Sequence, residues 1–236
     1  MGKIVLFANQ KGGVGKTTLC GHFSNYLISR NQPIYVIDAD TQKTLSGVRN
    51  GDIDELKRTH PDTDPNDFMS YEIDDRINLN DGLTMKKLAP ILKAKDYTTV
   101  VDTPGTLNAP GMVELVVVAD FIICPYFFDM NTLLSTREFC GVISKIKELR
   151  PDCKVQLLFL CNRKKASLGT RAEQEAWKEM NKFFAYFGKV VPDSLGDLKC
   201  LANYSTVANT DDASYKLKPA FDFIYNEIYG DPNYGK

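Results

Sequence analysis

Short runs of apolar residues alternate along this chain with segments in which apolar residues recur every three or four positions. The runs predict buried β-strands and the spaced segments predict amphipathic helices. The predicted strands cover residues 3–9, 33–40, 98–105, 120–127, 154–162 and 188–193. The predicted helices cover residues 17–30, 83–95, 110–119, 131–149, 168–186 and 213–229. This order predicts right-handed βαβ units, and hence a three-layer α/β fold in which a mainly parallel, twisted sheet carries helices on both faces.

Residues 49–82 interrupt this alternation. The segment is polar and rich in acidic residues and prolines, so we expect a surface excursion there, with an edge strand at residues 68–73. No internal repeat or change of composition marks a domain boundary. We therefore expect one domain over residues 1–236, with a frayed tail at residues 231–236.

The composition adds few constraints. The 29 basic and 30 acidic residues nearly cancel, which excludes a protein coated in positive charge but is compatible with a local basic patch. None of the six cysteines belongs to a C-x-x-C pair, so we expect buried, reduced thiols. The apolar N-terminal run is too short for a signal peptide, and the most apolar later stretch is interrupted by Glu114, Asp120 and Pro125. These features predict a cytoplasmic protein.

The most specific motif is "NQKGGVGKTT", residues 9–18. Glycines allow backbone N–H groups to approach phosphate oxygens, and a following helix offers its positive N-terminus. Lys16 is expected to reach the β- and γ-phosphates, and the Thr17 hydroxyl to coordinate Mg²⁺. A pattern of this kind arises by chance about once in ten million windows. The predicted nucleotide-binding residues are Gly12, Gly13, Val14, Gly15, Lys16, Thr17 and Thr18.

Two further motifs end predicted strands with carboxylates. In "VVDTPG", Asp102 is expected to hold Mg²⁺ through a water, and Gly105 to form a turn that senses the γ-phosphate. In "DADTQ", we expect Asp40 to orient the attacking water and Asp38 to support it. For both motifs the alternative is a simple turn or cap at the end of a strand.

Together, the three motifs resemble those of the ParA/MinD ATPases, P-loop proteins of the SIMIBI class with a deviant Walker A loop. A standard phosphate-binding loop has glycine where this chain has Gln10, and the family instead has an early lysine, here Lys11. "DADTQ" resembles the D-x-D-P-Q segment of the family, with Thr41 in place of proline, and "VVDTPG" resembles its Walker B and switch II segment. The resemblance implies ATP and Mg²⁺ as cofactors and Asp40 as the hydrolysis residue.

The resemblance also implies partners. Lys11 would reach the phosphates of a second copy in an ATP-dependent homodimer. No helix-turn-helix pattern precedes the loop, so the chain resembles the short partition ATPases, which act with a ParB-like centromere-binding adaptor, bind DNA non-specifically and associate with the nucleoid when ATP is bound. Asn162 resembles an adenine-contacting residue, although a buried turn is an alternative. The candidate DNA contacts are Lys145, Lys147, Arg163, Lys164, Lys165 and Arg171, with Arg150 beside them; each cluster could also be a solvated face.

Three other functions are possible within the same superfamily. A metabolic synthetase of the dethiobiotin type would use residues 49–82 for a substrate pocket. A MinD-like positioning ATPase would end in a basic membrane-binding helix, but the last predicted helix carries the apolar stripe Phe221, Ile224 and Ile228, which is typical of core packing, and so we expect no membrane contact. A reductase like the nitrogenase iron protein would need paired cysteines, for which the sequence offers no convincing candidates.

Overall fold

The computed structural model describes residues 2–68, 71–163, 170–196, 201, 204–207 and 211–230. The tail at residues 231–236, which we predicted to be frayed, lies outside the described residues. The strands are β1 (Ile4–Phe7), β2 (Ile34–Asp38), β3 (Ile73–Asp74), β4 (Thr98–Asp102), β5 (Phe121–Tyr126), β6 (Gln156–Cys161) and β7 (Lys189–Val190). The helices are α1 (Lys16–Ser29), α2 (Thr44–Thr59), α3 (Gly82–Lys93), α4 (Pro110–Val118), α5 (Met130–Leu149), α6 (Arg171–Phe187) and α7 (Asp211–Tyr229), with a short 3-10 helix at Pro65–Phe68.

The seven strands form one sheet in the order β3-β2-β4-β1-β5-β6-β7. All of the pairings are parallel. The carboxyl ends of the strands therefore share one edge of the sheet, and the amino ends share the other. In the register, Asp102 lies opposite Phe7 of β1 on one side and opposite Asp38 of β2 on the other. This places the loop after β1 next to the two acidic strand ends, as expected for a ligand site in a parallel sheet.

The sheet lies between two layers of helices, which confirms the α/β architecture predicted from the sequence. Ile4 and Leu6 of β1 pack into a core with α3, α4, α5 and α6, whereas Val5 and Phe7 pack into a second core with α1, α2 and α7. This alternation follows from the two-residue period of a strand. Because both faces are covered, the central strand is apolar at every position.

Helix α7 supplies a large part of the second core. Its buried residues Leu217, Ala220, Phe221, Ile224 and Ile228 follow a helical period. The packing interpretation of the last helix is thus confirmed. No helix in the described part of the chain is long and apolar enough to cross a membrane.

Helix α2 was not predicted from the sequence. Its sequence is mostly polar, and the buried side chains are only those of Leu45, Ser46 and Arg49, so no apolar stripe reveals it. Its start is held from outside the helix, because the buried Asp38 carboxylate accepts hydrogen bonds from the Ser46 N–H and hydroxyl, both at 2.9 Å. The first part of the expected excursion, residues 49–59, is therefore helical.

The predicted edge strand beyond the excursion is short. Strand β3 comprises only Ile73–Asp74 and pairs with Val36 and Ile37 of β2. Five of the six cysteines, Cys20, Cys124, Cys140, Cys153 and Cys161, are buried free thiols, as expected, and Cys200 lies outside the described residues.

Candidate functional site

The glycine-rich loop joins the carboxyl end of β1 to the start of α1. Gly13 and Gly15 have φ angles of 75° and 92°, in the left-handed region that disfavours side chains. Gly15 is also crowded, because a Cβ there would lie 2.4 Å from Nδ2 of Asn162. Helix α1 begins at Lys16, so its free N–H groups open onto the loop. Together these groups form an anion-binding cradle.

Two asparagines hold this loop in place. Asn9 donates from Nδ2 to the Pro125 carbonyl (2.6 Å) and to the Thr136 hydroxyl (3.0 Å), and its Oδ1 accepts the Lys11 N–H at 3.2 Å. Asn162 donates from Nδ2 to the Val14 carbonyl at 2.9 Å. The Nδ2 group of Asn162 is thus engaged by the loop, and the contact of this residue with adenine stays a prediction. Asn9 was not predicted, because the two groups that accept from its Nδ2 lie more than 100 positions away along the chain.

Lys16 projects into the cradle. Its ammonium lies 3.4 Å from the Lys11 carbonyl and close to Gly105, where an added Cβ would be 3.7 Å from Nζ. Burial lowers the pKa of Lys16, and the charges of Asp102 and Asp40 oppose this effect. The turn expected to sense the γ-phosphate therefore lies next to the lysine expected to bind it.

Asp102 is fully buried at the end of β4. Neither carboxylate oxygen has a hydrogen-bond partner among the described residues. Burial raises the pKa of the carboxyl to about 7, and the charges of Asp38 and Asp40 act in the same direction. Lys16 and the Thr17 hydroxyl oppose the rise, although no hydrogen bond of ordinary geometry joins Thr17 to the carboxylate.

This environment fits a magnesium ion. Buried carboxylate oxygens without donors, close to a threonine hydroxyl, are hard ligands of the kind that Mg²⁺ takes. The described residues contain no cluster of three or more His, Cys, Asp or Glu side chains that could hold a metal by themselves. A metal here would therefore need ligands from water and from a bound phosphate, as is usual for Mg²⁺.

The two carboxylates of "DADTQ" have different surroundings. Asp38 is fully buried and anchors α2 through Ser46. Asp40 is partly exposed, and its Oδ1 accepts the Gln42 N–H at 3.0 Å. The Lys43 N–H donates to the Asp40 carbonyl at 3.1 Å, so the turn closes without the proline that Thr41 replaces. Asp40 is therefore the more accessible of the two carboxylates for an incoming water.

A comparison with family models agrees with this geometry. The model of the "CobQ/CobB/MinD/ParA nucleotide binding domain" matches residues 5–207. The chain belongs to this family. The matched range includes the loop, both acidic strand ends and Asn162.

One curated relative is similar in sequence to part of this chain. IncC of Escherichia coli is 25% identical over 172 residues, which are 64% of this chain and 48% of IncC. The chain thus spans about half the length of this curated relative.

Solved structures of similar fold span several functions. McdA from Cyanothece, as a variant in complex with ATP, has a TM-score of 0.72 at 17% identity, over 97% of this chain and 96% of McdA. A plasmid partition protein of Borrelia burgdorferi bound to AMPPNP has a TM-score of 0.67 at 18% identity, over 96% of this chain and 99% of that protein. Cobyrinic acid a,c-diamide synthase of Mycobacterium smegmatis, with an ATP analogue and magnesium, has a TM-score of 0.68 at 17% identity, over 98% of this chain and 97% of the synthase. At such identities these likenesses show a shared fold.

Lys11, the early lysine of the family's loop, has a fixed backbone and an unpaired side chain. Its N–H is bound by Asn9 and its carbonyl lies near Lys16. No ion pair joins the Lys11 ammonium to any residue in the described part of the chain. The loop thus holds one buried lysine, Lys16, and one half-buried lysine, Lys11, whose ammonium has no ion pair among the described residues.

The candidate DNA contacts that the structure describes do not form one surface. Lys145, Lys147 and Arg150 lie at the end of α5, near the amino edge of the sheet, whereas Arg163 follows β6 at the carboxyl edge. Lys145 pairs with Glu148 at 2.9 Å, and Arg150 pairs with Glu114 and Asp152. Arg163 stacks over Phe127 at 5.4 Å, and Arg171 is exposed at the start of α6. Lys164 and Lys165 lie outside the described residues. Within one chain, the two clusters face opposite edges.

Proposed function

We propose that this chain, folded as a single domain, is a ParA-type ATPase that hydrolyses ATP with Mg²⁺ and forms a homodimer when ATP is bound. The dimer binds DNA non-specifically and is active in plasmid or chromosome partition with a ParB-like centromere-binding adaptor, in the cytoplasm and on the nucleoid. The observation that carries the proposal is the loop with two lysines, of which Lys16 is buried beside Gly105 and Lys11 is half-buried without an ion pair among the described residues.

The residues divide the work on ATP as follows. Backbone N–H groups of the loop and of the start of α1 bind the phosphates, and Lys16 neutralises charge on the β- and γ-phosphates. Thr17, and Asp102 through a water, would hold Mg²⁺, which would supply positive charge against the charge that develops on the transferred phosphoryl group. Asp40 orients the attacking water, and Gly105 allows the backbone to approach the γ-phosphate.

Lys11 has a different task in this scheme. Since Lys16 already lies beside Gly105, a second cation is not required for binding in the same chain. The unpaired ammonium of Lys11 can reach a nucleotide on a second copy that faces it. If Lys11 contacts the γ-phosphate bound by the second copy, both dimerisation and ATP hydrolysis would depend on the presence of that phosphate.

The test compares Lys11→Ala with Lys11→Arg and Lys16→Ala, by size-exclusion chromatography with ATP or ADP. A fluorescent ATP analogue measures nucleotide binding separately. We expect Lys11→Ala to bind nucleotide within about threefold of the wild type but to remain monomeric with ATP, and Lys16→Ala to lose nucleotide binding. Lys11→Arg keeps the charge and should dimerise in part. Normal ATP-dependent dimers of Lys11→Ala would refute the assignment.

A second candidate function is supported by a cavity beside the nucleotide site. It has a volume of about 350 Å³ and is lined by apolar side chains and by polar ones, among them Thr41, Lys43, Asn78 and Thr106. A metabolic synthetase would bind its small substrate in such a place. This function predicts ATP turnover that depends on a small carboxylic acid and ignores DNA, whereas the partition function predicts turnover that rises with DNA and the adaptor.

A further inference from the structure

Two clefts lie at the amino edge of the sheet, opposite the nucleotide site. The larger has a volume of about 690 Å³ and lies between the ends of α3 and α4, the start of β5 and the turn between α5 and β6. The smaller has a volume of about 320 Å³ and lies between that turn and the start of β7. Lys154 and Gln156 line both clefts, so the two are adjacent.

Positive charge is concentrated in these clefts. The larger is lined by five basic residues, Lys3, Lys86, Lys93, Arg150 and Lys154, against three acidic ones. The smaller is lined by Lys147, Lys154 and Lys189 and by no acidic residue. Because the whole chain has a formal net charge of −1, this excess is a local feature that the composition hides.

Part of this charge is neutralised within the chain. Lys93 pairs with Asp120 at 2.5 Å, and Lys189 pairs with Glu227 at 2.5 Å. In contrast, Lys3, Lys147 and Lys154 form no ion pair within 4 Å with any residue that the structure describes, although the charge of Lys154 acts on Asp152. These three lysines are therefore available to an external anion.

Helix dipoles explain only some of these lysines. Lys93 and Lys147 lie in the last turns of α3 and α5, where a cation stabilises the helix. Lys3 and Lys154 precede strands and Lys189 begins one, so no helix end accounts for them. A row of cations along strand starts has no evident folding role.

We propose that the two adjacent clefts together form the groove that binds the phosphate backbone of DNA, with Lys3, Lys147 and Lys154 as contacts. This inference rests on the proposed function and identifies the surface used. Of these contacts, Lys3 and Lys154 precede β1 and β6, which are two strand spacings apart, about 10 Å. This distance is the rise of about three nucleotides along one DNA strand. Because the groove lies on the edge opposite Lys11, a chain can hold DNA and a facing partner at the same time.

The test uses the double variant Lys147→Glu/Lys154→Glu and the control Lys178→Glu/Lys182→Glu, which makes the same change of charge on α6. Fluorescence anisotropy measures binding of a labelled duplex with ATP over a salt series, and a labelled glutamate-rich peptide is the second probe. We expect the cleft variant to lose roughly tenfold or more in DNA affinity at 0.1 M salt, and the slope of log K against log salt to fall by about two. The control should keep the wild-type slope.

Three outcomes would overturn the proposal: an unchanged slope in the cleft variant, an equal loss in the control, or selective loss of peptide binding with DNA binding intact. ATP-dependent dimerisation of the cleft variant shows that it is folded, and the milder pair Lys147→Gln/Lys154→Gln should give a smaller loss in the same direction. If the wild type with ATP bound no DNA even at low salt, DNA binding by this chain, and with it that part of the proposed function, would also be refuted. The three outcomes above refute only the location of the DNA-binding surface.

Discussion

Asp102 should make the nucleotide-free protein less stable as the pH rises. Its carboxyl is fully buried without a hydrogen-bond partner among the described residues, and burial raises its pKa from 3.8 to about 7. The folded state therefore holds a proton that the unfolded state releases at lower pH. The stability from this proton is complete below pH 3.8 and is lost as the pH rises to about 7.

The size of the effect follows from the shift. Raising the pKa of Asp102 from 3.8 to about 7 corresponds to about 4 kcal/mol in the free energy of unfolding. About 2.5 kcal/mol of this stabilisation is lost between pH 5 and pH 8.5. Asp102→Asn cannot ionise, so its free energy of unfolding should lack this loss. The free energy of unfolding of the variant, measured relative to the wild type, should therefore be about 2.5 kcal/mol higher at pH 8.5 than at pH 5. In melting temperature this difference is about 5–10 °C.

The assay is urea or thermal unfolding of both proteins at pH 5 and pH 8.5, without and with MgATP. Adding MgATP at pH 8.5 should stabilise the wild type more than the variant, because the cation offsets the buried charge. The control is Asp152→Asn: Asp152 is exposed, Arg150 lowers its pKa, and it should give no such gain. Parallel pH profiles for the wild type and Asp102→Asn would refute the reasoning.

Three further variants test the scaffold of the site. Gly15→Ala puts a Cβ at a φ of 92° and 2.4 Å from the side-chain amide nitrogen of Asn162, so nucleotide binding should fall at least about tenfold. In the control Gly47→Ala the added Cβ has nothing within 4 Å, so this variant should bind nucleotide normally. Equal binding by the two variants would contradict the strain argument. Ser46→Ala removes a 2.9 Å bond to the buried Asp38 and should cost about 1.5–3 kcal/mol in urea unfolding, with recovery in Ser46→Thr; a loss below about 0.5 kcal/mol would contradict it. Phe221→Ala should cost about 3–5 kcal/mol, and an unchanged urea midpoint would contradict the packing of α7.

The three sequence motifs were informative because each depends on local chemistry. The glycines of the loop are needed for its own backbone, and Asp102 follows an apolar run that can only be a strand. Helix α2 and the role of Asp38 were not predictable in this way, since the Asp38 carboxylate stabilises a helix start eight residues later through Ser46. Nor was Asn9, whose partners lie on β5 and α5.

The sequence by itself determined the α/β class, the loop and the two acidic strand ends, because hydrophobic period and glycine content act over a few residues. Only the tertiary structure decided which groups meet. Parallel strand order brings Asp38 and Asp102 side by side and places the basic residues of α5 and Arg163 at opposite edges of the sheet. It also collects Lys3, Lys147 and Lys154 around two adjacent clefts. These residues become neighbours because of the order of the strands in the sheet. That order depends on contacts between residues far apart in the sequence, so a short stretch of sequence does not reveal it.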